Sequence, residues 1–548
     1  MKLSIKVILA SLFLVSFAQA QNQVLDTSWK IKKTSWSDVD ERAYSEFVAI
    51  IGRAVEKREC KSFKECIQHP TNPYKGSDAA QLDIHVDCAR LSYAFRAYFA
   101  WKNGLPFSHV SLVVPRAEAD KADNLRYTKN GNIVSARSNM LAQKNKLLDG
   151  PTYITGKLMK SVYTAVLRLE DETENRVGFE SDYYPADISR EAIRPGTTIY
   201  DPAGHAAIVY KITDDGKIYF IDAHPDNSLT YGMYGTKFVR SRPTQGAGFK
   251  NYRKQELVGA TFNAALGSYV GGKIVVSLPT AHKDFSLVQK YGTDNKPIPK
   301  WQNGAFIFAG VKMDYYDYLR SKMSKGNLKI KPREEVIAIT NDLCSTAEDR
   351  VDAVQSAITA NIHLKTHPER LPVNIYGTSG EWEEYSTPSR DARFKTSFKE
   401  LRDKVEKIFI AYQKGDPQID YSGANIKADM LAAYNQVSQA CKINYKKSNG
   451  ALVTLNLENI RQRLFALSFD PYHCPELRWG ASSEQELQSC KDDATKREWF
   501  KREVWLRNQI DRVYDVRMDY TLAELTGPKP GVGVANPPDV DVVKYLSK

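Results

Sequence analysis

Four residues in the chain have the types and spacing for amide chemistry: Cys88, His205, Asp222 and His224. Cys88 stands in the run His85-Val86-Asp87-Cys88-Ala89-Arg90-Leu91. Asp87 can cap a helix that begins at Cys88. Leu91, Phe95, Tyr98 and Phe99 then recur at helical spacing, and Asn103-Gly104 closes the segment. A thiol in the first turn of a helix lies among free N–H groups at the positive end of the dipole. That setting favours the thiolate, which is the form that attacks a carbonyl carbon.

The imidazole and carboxylate lie in a second piece, Ile193 to Asp226. It reads as a strand followed by a hairpin turning at Asp215-Gly216, a strong turn dipeptide. With a two-residue loop, Val209 faces Asp222, Ala207 faces His224 and His205 faces Asp226. His205, Asp222 and His224 then share one sheet face. An imidazole can hold the thiol proton, and a carboxylate or second imidazole can fix its tautomer. Strict register puts His224 nearer to His205 than Asp222, and a bulge would change that.

The run Asp87-Cys88, then Arg194-Pro195-Gly196, then Gly204-His205, then Phe220-Ile221-Asp222-Ala223 resembles the NlpC/P60 family of papain-like cysteine peptidases. The likeness covers roughly residues 80–110 and 190–230. It implies an α+β papain-like catalytic domain with Cys88 as nucleophile, His205 as base and Asp222 as orienter. It also implies a cell-wall stem peptide as substrate. Gly204-His205-Ala206 with Asp222 on the next strand also looks like a transglutaminase-like core, which implies acyl transfer to water or to an amine. A non-catalytic envelope scaffold on the same fold is the third reading.

These residues need a helix, a strand and a returning strand brought to one edge. Val110–Val114, Ala206–Tyr210 and Lys273–Ser277 read as short β-branched strands in a mixed domain over residues 21–310. The polar stretch at about 115–190 reads as a surface insertion. Residues 311–526 read as a helical domain: Phe394, Phe398, Leu401, Val405, Ile408 and Tyr412 keep helical spacing up to Gly415. Trp499 to Tyr514 reads as a long last helix, and residues 527–548 as a Pro/Gly-rich tail, extended or disordered.

The first 20 residues read as a cleaved bacterial signal peptide: Lys2 and Lys6, an apolar run from Val7 to Phe17, then Ala18-Gln19-Ala20. The expected location is therefore periplasmic or extracellular. No later run of about 18 apolar residues would span a bilayer. The formal charge is +12, or +10 without Lys2 and Lys6. Such a charge suits an anionic envelope surface. No basic block with interleaved aromatics points to nucleic acid.

Seven cysteines in an oxidising compartment leave one unpaired. Cys60 with Cys66 and Cys474 with Cys490 are short-range candidates, which leaves Cys344 with Cys441 and makes Cys88 the odd one. Six cysteines allow fifteen pairings, so spacing alone does not decide. His363 and His367 have ligand-like spacing but lack the intervening Glu of a zinc-protease helix. With no P-loop or dinucleotide fingerprint either, no metal or cofactor is expected.

Overall fold

The computed structural model describes residues 25–121, 124–142, 146–170, 177–377 and 379–548. The expected signal peptide lies outside them. The fold is α+β. No helix among the described residues is long and apolar enough to cross a membrane.

The first half is organised around one buried helix. Helix α1 spans Asp38–Glu56 and starts with a capping box between Ser37 and Asp40. Helix α2, Phe63–Gln68, follows, and α3 runs Cys88–Asn103. The Asp87 side chain accepts the Arg90 N–H at 3.0 Å, and Gly104 ends α3 at φ +63°. A side chain at Gly104 would stand 2.9 Å from the Lys30 carbonyl, so the left-handed cap needs glycine. Helix α3 is buried on nearly every face. Its one fully enclosed cation, Arg96, makes a two-pronged bond to Glu41 at 2.9 and 2.6 Å and stacks 3.4 Å from the Trp36 ring.

Strands β1 (Ser108–Pro115) and β2 (Asn132–Asn139) form an antiparallel hairpin. A six-stranded antiparallel sheet then combines β3 (Tyr183–Pro185), β4 (Thr198–Asp201), β5 (His205–Ile212), β6 (Ile218–Ala223), β7 (Leu229–Met233) and β8 (Gly248–Tyr252), in the order β3-β8-β4-β5-β6-β7. Ala206, Ile208, Tyr210 and Ile221 face α1 and α3. Ala207, Val209 and Phe220 face the other way, onto Phe238, Phe306 and the helix Tyr315–Met323. The sheet is therefore buried on both faces.

Three boundaries differ from the sequence reading. The 115–190 stretch is not a surface insertion. Its β2 strand pairs with β1, and Tyr153, Ile154, Leu158, Val162 and Val166 complete the core around α3. Polar turns masked these apolar positions. The break at 310 cuts a packed unit, because Tyr315, Leu319 and Met323 pack on the sheet. The tail is not a free extension: Val540, Val542 and Leu546 are buried against the helical core, and Val542–Leu546 forms a last helix.

The second half is helical. Pro332–Thr359, Pro388–Gln413 and Ile426–Ala440 pack through Leu343, Phe398, Leu401, Val405 and Met430. The expected long final helix is broken into Ala494–Arg502 and Val504–Asn508, and the chain over 509–541 is irregular. Arg350 and Asp391, both almost fully buried, join the first two helices by bonds of 2.8 and 3.0 Å. Removing one member strands the other charge away from water. Asp391→Ala is expected to lower stability by about 3–5 kcal/mol, read as a fall in the urea midpoint.

Candidate active site

The chain's disulfides join Cys60 to Cys66, Cys344 to Cys441 and Cys474 to Cys490, and Cys88 is the free cysteine. It occupies the first turn of α3. Among the described residues the N–H groups of Cys88 and Ala89 have no acceptor, as the start of a helix dictates. They form a pair of donors beside the thiol. The sulfur sits against the opening of β5, 3.9 Å from the Gly204 carbonyl, and accepts a hydrogen bond from the Ala206 N–H. Gly204 takes φ +76°, which lets the chain turn tightly into β5 at His205.

His205 is buried at 5% exposure. Its Nε2 donates to Asp222 Oδ2 at 2.7 Å. That bond leaves Nδ1 as the acceptor nitrogen, and among the described residues Nδ1 has no hydrogen-bond partner. Asp222 takes a second hydrogen bond from the Thr230 hydroxyl. Burial resists its charge, but His224, His205 and the hydrogen bonds outweigh this and hold the carboxyl far below the usual range. His224 bonds Thr230 Oγ1 at 2.9 Å and lies 3.9 Å from Asp222, with its ring centroid 6.1 Å from that of His205. Asp222, and not His224, therefore contacts His205.

The expected hairpin register is wrong by two residues. Ile208 pairs with Ile221 and Val209 with Phe220. The loop has three residues, closed by the Thr213 N–H on the Lys217 carbonyl. A bulge at Tyr210 adds the second step of the shift. Together they move Asp222 back along β6 to where the His205 side chain reaches it.

Cys88 and His205 line one cleft, with Asp87, Gly204 and His224 around them. Among the described residues no hydrogen bond joins the thiol to either imidazole. Nor does the thiolate preference expected of a helix start prevail. Burial in the crowded cleft, reinforced by the Asp87 charge, pushes the thiol up to about 12. Burial also lowers the His205 pKa, helped by Arg393, despite the pull of Asp222. At neutral pH the site holds a neutral thiol and a neutral imidazole.

The roof of the cleft comes from the helical half. Tyr376, Glu383, Arg390, Arg393 and Tyr514 line it. Tyr514 stacks on Tyr127 with centroids 4.3 Å apart. Arg126 bonds Glu383 at 3.0 Å, Arg390 bonds Asp226 at 3.1 Å and Arg512 bonds Asp201 at 2.5 Å. None of the helical-half residues stands near Cys88 or His205 in sequence, so no local motif marks them.

The chain matches no protein-family model, no curated protein and no solved structure.

His85 lies apart from this chemistry, exposed and 3.2 Å from the Pro225 carbonyl. His363 and His367 do not act as a pair. His367 Nε2 meets Asp470 Oδ2 at 2.8 Å, and Glu503 lies close enough for the three to hold a cation. Arg507 stands 3.9 Å from Glu503, and the buried Arg478 adds a second positive charge. Burial and the neighbouring Asp470 nevertheless hold the Glu503 carboxyl well above the usual carboxylate range, so the two arginines offset the cluster's charge only in part. The metal-capable grouping of Cys474, Cys490 and Asp492 has both sulfurs committed to a disulfide.

Proposed function

We propose that the protein is a thiol hydrolase of amide bonds, with Cys88 as nucleophile, His205 as base and Asp222 as orienter in a papain-like arrangement. The single observation that carries this reading is the shared cleft. It holds a free thiol at a capped helix start beside an imidazole already fixed by a buried carboxylate.

In the reaction, substrate binding moves the thiol within reach of His205 Nδ1. The S–H proton passes to Nδ1 as sulfur bonds to the carbonyl carbon. The Cys88 and Ala89 N–H groups receive the developing oxyanion. His205 then gives its proton to the leaving amine as the C–N bond breaks, which leaves a thioester. Water, deprotonated by His205, releases the acid and restores the thiol. The resemblance to NlpC/P60 enzymes and the export reading of the N-terminus support cell-wall peptides as the substrate. The excess of basic residues suits an anionic envelope.

Incubation with purified peptidoglycan tests the proposal: new amino and carboxyl ends are expected in soluble fragments. An amine-donor label on a glutamine peptide distinguishes transfer from hydrolysis. If neither product forms, the hydrolase reading fails. One observation favours a scaffold instead, namely the neutral thiol with no bond to the imidazole. In that case iodoacetamide leaves Cys88 unmodified at pH 9.

The pH dependence follows from the same groups. His205 must be neutral to accept a proton, and its pKa lies below 6.5. The acid limb of kcat/KM is therefore expected below pH 6.5. Alkylation of Cys88 by iodoacetamide should keep rising well above pH 9, because the thiol ionises near 12. A plateau of alkylation by pH 7 would contradict the burial-dominated thiol.

A further inference from the structure

Several guanidinium groups surround the cleft, and most are committed. Arg126 is bonded to Glu383, Arg390 to Asp226 and Arg512 to Asp201. Arg393 is different. It stands three residues beyond Arg390 in the helix Pro388–Gln413 and lines the cleft with Cys88 and His205. Among the described residues it makes neither a hydrogen bond nor an ion pair. The neighbouring carboxylates are already taken: Asp222 by His205 and Thr230, Asp226 by Arg390 and Ser228, Asp201 by Arg512, and Glu383 by Arg126. Burial and the charge of Arg512 both disfavour the Arg393 cation, and its pKa falls below the ordinary arginine value.

A guanidinium held half-buried without an acceptor is costly, and an incoming anion removes that cost by satisfying its fork of donors. Backbone carbonyls elsewhere in the chain satisfy buried cations such as Lys395 and Arg168. At Arg393 no such group is supplied. We propose that Arg393 is a carboxylate-binding residue, so that the substrate is a peptide bearing a free carboxylate close to the amide presented to Cys88. This inference rests on the thiol-hydrolase reading and names the chemical class of its substrate.

The test uses two alkylating reagents that differ in charge, iodoacetate and iodoacetamide, on the full chain. In both, the Cys88 sulfur forms a bond to carbon, iodide leaves and the thiol proton goes to solvent. The ratio of the iodoacetate rate to the iodoacetamide rate is expected to be about tenfold higher in the unaltered protein than in Arg393→Gln, because only the former offers the carboxylate an unpaired cation. A second measurement needs no substitution: glutarate should slow iodoacetamide labelling of the unaltered protein, and glutaramide should not. An unchanged ratio together with equal protection by the two compounds overturns carboxylate binding while leaving the reactive thiol standing. Failure of iodoacetamide to label Cys88 even at pH 9 overturns the thiol reading, and the carboxylate site falls with it.

Discussion

On the proposed mechanism Cys88→Ala is expected to abolish turnover, with kcat falling by about 10⁴-fold or more and the fold left intact. Removing the nucleophile takes away the covalent route, and what remains is positioning by the cleft and the helix-start N–H groups. The structural cost is small. The thiol lies on the cleft wall, Asp87 still caps α3, and the buried side of α3 is untouched. The comparison to make is activity on peptidoglycan against the urea midpoint of the same preparation. Turnover lost with an unchanged midpoint is the expected outcome. Activity retained within tenfold would assign the chemistry elsewhere.

The second large effect is expected at Asp222. Asp222→Asn keeps the shape but replaces an acceptor with a group that can donate. The amide would then donate to His205 Nε2 and move the ring proton to Nδ1, the nitrogen that accepts from sulfur in the proposed reaction. A fall in kcat of roughly 10⁴-fold follows from holding the wrong tautomer. His224→Gln is the control. His224 touches Thr230 and lies 3.9 Å from Asp222, so its loss should cost less than tenfold. Equal losses in the two variants would make His224 a full partner, against the present geometry. The Asn variant should also shift the acid limb downward, since the carboxylate no longer favours the imidazolium.

The elements that hold these residues were more legible than the contacts between them. Asp87, the apolar series from Leu91 to Phe99 and Gly104 announce α3 by cap, period and stop. The strands at Val110 and Ala206 show the β-branched runs of ladder positions. All of these are local signals. The Asp222 contact is not local, because it depends on one extra loop residue and one bulged residue, Tyr210. Neither carries a residue-type signature strong enough to fix a register. The 115–190 stretch misled for a related reason. Tyr153, Leu158 and Val166 are spaced among polar turns, and only the packing around α3 reveals them as core. Arg393 and Tyr514 were illegible, since a roof contributed from the far half of the chain leaves no pattern near the residues it covers. The placement of Cys88 at a helix start was readable, but its ionisation was not. The dipole is a feature of one helix, whereas the surrounding desolvation is a property of the assembled cleft.

That high thiol pKa bears on how the fold endures wherever thiols meet oxidants. Disulfide exchange and peroxide attack both proceed through the sulfur anion. A chain with three cystines and one spare cysteine is exposed to scrambling whenever the spare one ionises. Once the helical half has closed over Cys88, its sulfur is a poor partner for such shuffling. The same enclosure would spare the proposed nucleophile from oxidative inactivation.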